Sequence, residues 1–393
     1  MIDIQKARLE TPACKNIIHF NNAGASLQPE CVSQAVINHL TLENTIGGYE
    51  AEAAAESAIA SVYRSLARLI HAKPEDIAVM SSATTAWDMA FYGFPFQAGD
   101  KILTTTSEYA SNVIAYMHVA QKYGVTIDVI PDDEHGQISL KKLKNRIDKH
   151  VKIISINHIP TNGGLVNPAE EVGKIAKDAG VFYFLDACQS VGQMSLDVEK
   201  LHCHVLTATG RKYLRGPRGT GFLYVREDIR EKLSPPFLDL HSARWTSKNH
   251  YILRSDARRF ETWESNVAAK IGLGVAADYA HSWGVEHIQK RVQALGHSLR
   301  SKLSALPHIT VHDKGQTKCG IVTFSHATQS AQEVQAFLHT HSINTSISLA
   351  EYARFDMDDR GLREIVRASV HYYNTEEEID TFCRALEKII TLG

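Results

Sequence analysis

"HVLTATGRKYLRGPRGTGFLYV", His204 to Val225, is the stretch on which the reading of the whole chain turns. Its two ends, "HVLTAT" and "GFLYV", are short, apolar, β-branched or aromatic runs that read as strands. The turn between them gathers Arg211, Lys212, Arg215 and Arg218 among glycines. A lysine there could bind phosphate or nucleic acid, act as a nucleophile, or be plain surface charge. The two strands close a series. "IAVMS" from Ile77, "KILTTT" from Lys101, "VTIDVI" from Val125, "KIISINHI" from Lys152 and "VFYFLDA" from Val181 read the same way. Most are nearly all apolar, as parallel strands covered on both faces are. Helical patterns such as "AEEVGKIAKDAG" alternate with them, so the spacing predicts an α/β domain. "YEAEAAAESAIASVYRSLARLI", Tyr49 to Ile70, reads as one long helix with Ile59, Val62, Leu66, Leu69 and Ile70 on one face.

After about residue 290 the pattern changes. "GIVTFS" and "IVRASVHYY" read as strands around the helix "AQEVQAFLHTH", which gives a small C-terminal α+β domain. The last helix opens at a capping box, Thr375 with Glu378. The expected division is a large domain over residues 25–285 and a small one from 1–24 and 286–393.

In open α/β sheets ligands sit beyond the carboxyl ends of the strands, so the residues just past each strand matter most. "SATTAWDMA" follows the first strand. Free N–H groups at that helix start make an anion site, although a plain Ser/Thr N-cap explains the turn equally well. Ser107, Glu108 and Tyr109 follow the second strand and "PTNGGLVNP" the fourth. Asp186 and Gln189 follow the fifth, and Gly210, Arg211 and Lys212 the sixth. An anion turn, an aromatic, an acid with a glutamine and a lysine thus converge on one sheet edge. Pyridoxal 5'-phosphate (PLP) uses all of these parts. A Walker phosphate loop does not fit, because "TATGRKYL" lacks the GxxxxGK spacing.

These residues carry a resemblance. "CHVLTATGRKYLRGPRGTGF" resembles the lysine signature of class V aminotransferases, and "DACQ" their Asp-x-x-Gln. "SATT", "INHIPTNGGLVNP" and "VRASVHYYNTEEEID" match in order and spacing, from "FNNAGAS" to the final helix. The resemblance implies a fold type I PLP-dependent enzyme with a mainly parallel seven-stranded sheet. It also implies a homodimer and a small amino-acid substrate. The cysteine desulfurase, isopenicillin N epimerase and cysteine-sulfoxide lyase groups are the nearest cousins.

It further implies roles. Lys212 carries the cofactor as a Schiff base, Asp186 holds the ring nitrogen protonated, and Gln189 bonds the phenolic oxygen. Tyr109 stands where many relatives stack a histidine on the ring, and adds an O–H that can move a proton. Ala83, Thr84 and Thr209 cup the phosphate, helped by Arg211 in place of the usual histidine. Thr161 lies near the cofactor oxygen. Arg367 grips the substrate carboxylate, a task suited to a bidentate guanidinium, with Asn22, Ala23 and Gly24 nearby. Trp263 and Glu264 replace a Gly-Thr pair that often reaches the partner subunit's phosphate, and a glutamate would repel that group.

Composition excludes other classes. The chain has 393 residues, a net charge of −2, 44% hydrophobic and 22% charged residues. That balance gives no footprint for nucleic acid or an anionic membrane. No apolar run approaches a membrane span, and the N-terminus lacks a signal-peptide core. Six spread cysteines point to free thiols in a reducing compartment, hence the cytoplasm. "LHCH" (His202, Cys203, His204) is read as structural, with no metal. Arg215 and Arg218 are read as a solvated turn.

Reaction class rests on one absence and one substitution. Desulfurases need a mobile cysteine before the carboxylate-binding arginine. Here "SINTSISLAEYARFDMDDRGLREIVR" has none, Cys319 sits earlier and Cys188 lies within the cofactor motif. With Tyr109 as an extra proton donor, the expectation is a C–S lyase acting on a cysteine derivative or sulfoxide conjugate. The alternatives are an aminotransferase or epimerase and, more distantly, a desulfurase or a basic RNA-binding module.

Overall fold

The structure is a computed structural model that describes residues 2–390. Seven strands form the central sheet: β1 (Ile77–Met80), β2 (Lys101–Thr105), β3 (Thr126–Ile130), β4 (Val151–Asn157), β5 (Phe182–Asp186), β6 (Val205–Thr209) and β7 (Gly221–Val225). Their order across the sheet is β1-β7-β6-β5-β4-β2-β3. β7 runs antiparallel to both neighbours, and the remaining pairs are parallel.

The apolar runs are explained by two cores, one on each face. Ile102, Ile153, Phe184 and Val205 fill one, while Leu103, Ile154, Leu185 and Leu206 fill the other. Successive residues of a strand point to opposite faces, so a doubly covered strand must be apolar throughout. Gly221 opens β7 where a Cβ would stand 2.8 Å from the Ala83 nitrogen and 2.7 Å from the Ala208 oxygen. No larger residue lets this strand lie against the start of the helix that follows β1.

The helices that place the site follow the same logic. The expected long helix is two: α1 (Gly48–Ala54) and α2 (Glu56–Leu69). Ala55 breaks them, at φ −94° and ψ 8°. An alanine-rich run carries no breaker residue, so packing rather than propensity makes this turn. α3 (Ala83–Phe91) is capped by Ser82, whose Oγ accepts the Thr85 N–H at 3.0 Å. α4 (Ala110–Tyr123) follows β2, and α5 (Ala169–Ala179) ends at Gly180 in a left-handed cap.

Beyond the large sheet, β8 (Ala243–Ser247) and β9 (His250–Leu253) make an exposed hairpin. A four-stranded antiparallel sheet follows, of β10 (Ile309–Val311), β11 (Ile321–His326), β12 (Ser346–Leu349) and β13 (Glu364–Ser369), in the order β10-β11-β13-β12. The last helix, α6 (Glu376–Ile390), begins with the expected capping box: Glu378 N–H donates to Thr375 Oγ1, and Thr375 N–H to Glu378 Oε2. Ile18–His19 pairs in parallel with Ile343–Asn344, tying the N-terminal segment to this part of the fold.

Arg215 is a correction to the solvated-turn reading, which holds only for the exposed Arg218. Arg215 is 1% exposed. Its guanidinium donates to Leu27 O, Tyr372 Oη and Thr11 Oγ1, and lies against the rings of Tyr279, Tyr372 and Tyr373. Three rings and three oxygens replace water around the buried charge. His204 is likewise structural, its Nδ1 accepting the Tyr183 N–H. No helix among the described residues is long and apolar enough to cross a membrane.

Candidate active site

A cleft opens at the carboxyl end of the parallel strands, with about 420 Å³ of space between its side chains, part of it open to solvent. Six elements feed it. Ala83 and Thr84 come from the first turn of α3, Tyr109 from the N-cap of α4, and Thr161 from the loop after β4. Asp186 ends β5, Gln189 follows it, and Lys212 lies on the turn after β6. Strand order alone brings these distant residues together.

The Lys212 amine makes no hydrogen bond or ion pair with any described residue. Burial pulls its pKa down, and Arg211 and Arg367 pull the same way, against Cys188 and Asp186. Asp186 is aimed by two N–H donors: Cys188 N to Oδ1 at 2.9 Å and Asn112 Nδ2 to Oδ2 at 3.1 Å. Gln189 Nε2 donates to Ala23 O, while its buried Oε1 has no partner.

Arg367, on β13, is 7% exposed. Its Nη1 donates to the carbonyl and hydroxyl oxygens of Thr161, and Nη2 reaches Ser346 Oγ. Its Nε is buried without a partner, and no carboxylate among the described residues pairs with it. Burial pushes its pKa down to about 10. A buried cation without an anion is costly unless a ligand supplies one.

Thr209 and Arg211 stand beside the cleft wall, Arg211 Nη1 donating to Thr209 Oγ1 at 3.0 Å. The β6 residue that lines the cleft is Thr207, two positions earlier on the same face. Asn22 is also engaged elsewhere: its amide donates to Ser369 O and His19 O and its Oδ1 accepts from Tyr373 Oη. Ala23 reaches the site through the carbonyl that holds Gln189, and Ala23 N–H donates to Ser369 Oγ. At Gly24 a Cβ would stand 2.5 Å from Asn21 Oδ1, so this glycine serves the turn itself. Trp263 and Glu264 are exposed and border a surface hollow with Glu43, Glu50 and Glu52, an acidic setting that offers a phosphate nothing.

Sequence reasoning missed Asn112, Asn157 and Trp87, which also line the cleft. Asn112 had a signal, since it lies one helical turn beyond Tyr109.

These residues fit PLP. Ala83 and Thr84 offer first-turn N–H groups to a phosphate, and Arg211 lies close by. Lys212 has a partnerless amine, Asp186 is fixed toward the cleft, and Gln189 Oε1 is a buried polar atom in need of a partner.

An aminotransferase class-V family model matches residues 18–382. The chain is 28% identical, over 99% of its length and 98% of the relative's, to a probable cysteine desulfurase of Methanothermobacter thermautotrophicus. It superposes on the apo cysteine desulfurase of Thermococcus onnurineus NA1 with a TM-score of 0.92 and 28% identity, covering 100% of this chain and 99% of that one. The cystine C–S lyase C-DES, in complex with cysteine persulfide, shares the fold at TM-score 0.87 and 22% identity, over 96% of this chain and 99% of that one.

Proposed function

The chain belongs to the aminotransferase class-V family and is a PLP-dependent enzyme; from that premise we propose that it cleaves the Cβ–S bond of a cysteine derivative by β-elimination. The observation that carries this reading is the segment before Arg367. It holds no cysteine and is pinned down. Asp356 is 4% exposed, accepts from Asn162 Nδ2 at 2.8 Å and pairs with Lys314 and Arg360. A persulfide relay needs a mobile thiol there.

Bound PLP supplies an electron sink for the pair left when the substrate's Cα–H bond breaks. The residues do the rest. Arg367 holds the α-carboxylate, its unpartnered Nε available to that group. Lys212 takes the Cα proton, a task its lowered pKa suits. Tyr109 delivers a proton to the departing sulfur, so the thiol leaves neutral. The three-carbon remainder hydrolyses to pyruvate and ammonia.

Desulfuration is the second reading, favoured by the names of the relatives. Cys188 is the cysteine that lines the cleft, but burial raises its thiol pKa well above the usual value, which suppresses the thiolate. Cys319 is buried, with its Sγ accepting the Ile321 N–H.

The test is to incubate the purified protein with cysteine S-conjugates and with cysteine. Pyruvate with one equivalent of thiol supports elimination. Alanine with sulfur bound on Cys188 supports desulfuration, and pyridoxamine phosphate without pyruvate supports transamination. Solvent deuterium at Cα with the side chain intact supports epimerisation.

The protein also pairs with a second copy in this reading. Exposed Tyr49 and Trp263, which border one surface hollow, belong to the surface for that contact. Sedimentation of the wild type as a monomer overturns it.

A further inference from the structure

Behind Asp186 lies a second carboxylate, Glu108, which the reaction as described leaves unused. It is 1% exposed, and no cation among the described residues pairs with it. Four donors surround it instead. Tyr109 N and Asn112 Nδ2 donate to Oε1 at 2.9 and 3.0 Å, and Thr104 Oγ1 and Tyr116 Oη to Oε2 at 3.0 and 3.3 Å. The same Asn112 nitrogen donates to Asp186 Oδ2 at 3.1 Å. An amide nitrogen has two protons. Here one goes to each carboxylate, so a single amide joins the two acids.

We infer that Glu108 is a positioning acid of the cofactor site: joined to Asp186 through Asn112, its charge sets how strongly a ring nitrogen held at Asp186 keeps its proton. The inference rests on the reading that Asp186 faces that nitrogen. With Glu108 ionised, two negative charges act there, and with Glu108 neutral only one does.

The surroundings let Glu108 change state. Burial pushes its pKa up to about 7, the Tyr109, Asn112 and Thr104 bonds lower it, and the Asp186 charge raises it. The groups facing it are Thr104 on β2, Asn112 and Tyr116 on α4, and Asp186 on β5. A proton arriving on Oε2 needs one donor to turn away. Tyr116 can do so, because its hydroxyl also lies 2.7 Å from Ser155 Oγ. The Glu108 charge can therefore switch near neutral pH, its new O–H donating back to Tyr116 Oη as the Tyr116 hydroxyl turns to Ser155. The sequence hides this arrangement, because a glutamate before a helix reads as a solvated first-turn acid.

The experiment titrates the visible band of the holoenzyme, without substrate, for wild type and Glu108→Gln. A glutamine keeps the shape, accepts from Tyr109 and Asn112, and can donate to Thr104. The expected result is retained colour, with the band's pH midpoint lowered by about 0.5–1 unit, because the protonated imine loses a nearby negative charge. An unchanged midpoint overturns the proposal. Should Glu108→Gln not fold, Tyr116→Phe serves. It removes one donor from Glu108, raises that acid's pKa, and is expected to lower the midpoint in the same direction; no shift overturns the proposal. A colourless wild type that ignores added PLP overturns the site reading, and this inference with it.

Discussion

Nη1 of Arg367 reaches both oxygens of Thr161, the carbonyl at 2.9 Å and the hydroxyl at 2.8 Å. One nitrogen thus anchors the guanidinium on the loop after β4, while Nε stays free. The side chain is held in place before any ligand arrives, so little ordering is required at binding. A lysine cannot hold the loop and grip a carboxylate at once. Arg367→Lys is therefore expected to raise KM by about 10- to 100-fold, as loss of a charge-assisted contact does. The visible spectrum should stay as in wild type. Unchanged KM removes Arg367 from the substrate site.

Tyr109 offers a second, independent check. Tyr109→Phe keeps a flat ring at the α4 N-cap and removes only the hydroxyl. If that hydroxyl protonates the leaving sulfur, kcat should fall by about 100-fold while PLP stays bound. The fall should be smaller for substrates whose thiol is acidic enough to leave unaided. Equal rates for both enzymes across such a series would show that another group supplies the proton.

The sheet was legible because burial on both faces marks its inner strands: "KIISIN" and "VFYFLD" have no polar alternation to hide them. Lys212, Asp186, Gln189, Tyr109, Ala83 and Thr84 were legible because topology puts the carboxyl ends of the six mutually parallel strands on one edge. What sequence could not show depends on partners far along the chain. Ala55 breaks a helix in a run of good helix formers. Arg215 reads as a turn cation until Thr11 and Tyr372 close around it from both ends of the chain. Thr207 and Thr209 share a strand face, and only the depth of the cleft selects Thr207 as its lining residue.

Arg215 gives a stability prediction. Arg215→Met keeps the bulk but leaves Leu27 O, Thr11 Oγ1 and Tyr372 Oη without their donor, and ends the contact with three rings. A loss of about 3 kcal/mol is expected, read as a lower urea midpoint at unchanged slope. Because Arg215 N also bonds Lys212 O at 2.9 Å, the turn that carries Lys212 should loosen and PLP should dissociate faster. A variant as stable as wild type would mean that water replaces those contacts at little cost.

His158 follows β4 and sets a limit at acid pH. It is 6% exposed, its Nδ1 has no partner, and burial pulls its pKa down to about 4. In the unfolded chain a histidine titrates near 6.5. Above that value both states are neutral and His158 has no effect on stability. As the pH falls from about 6.5 toward 4, the unfolded chain takes up a proton that the folded one refuses, so stability is lost through that window. At pH 5 the loss from this one residue is about 2 kcal/mol. His204, also lowered to about 4 by burial, adds to it in the same direction. Urea unfolding of wild type and His158→Gln at pH 7.5 and pH 5.0 separates this residue's share. The wild type should lose about 2 kcal/mol more than the variant between the two conditions. Parallel losses would mean that His158 accepts a proton in the folded state as readily as in the unfolded one, against the burial of its unpartnered nitrogen.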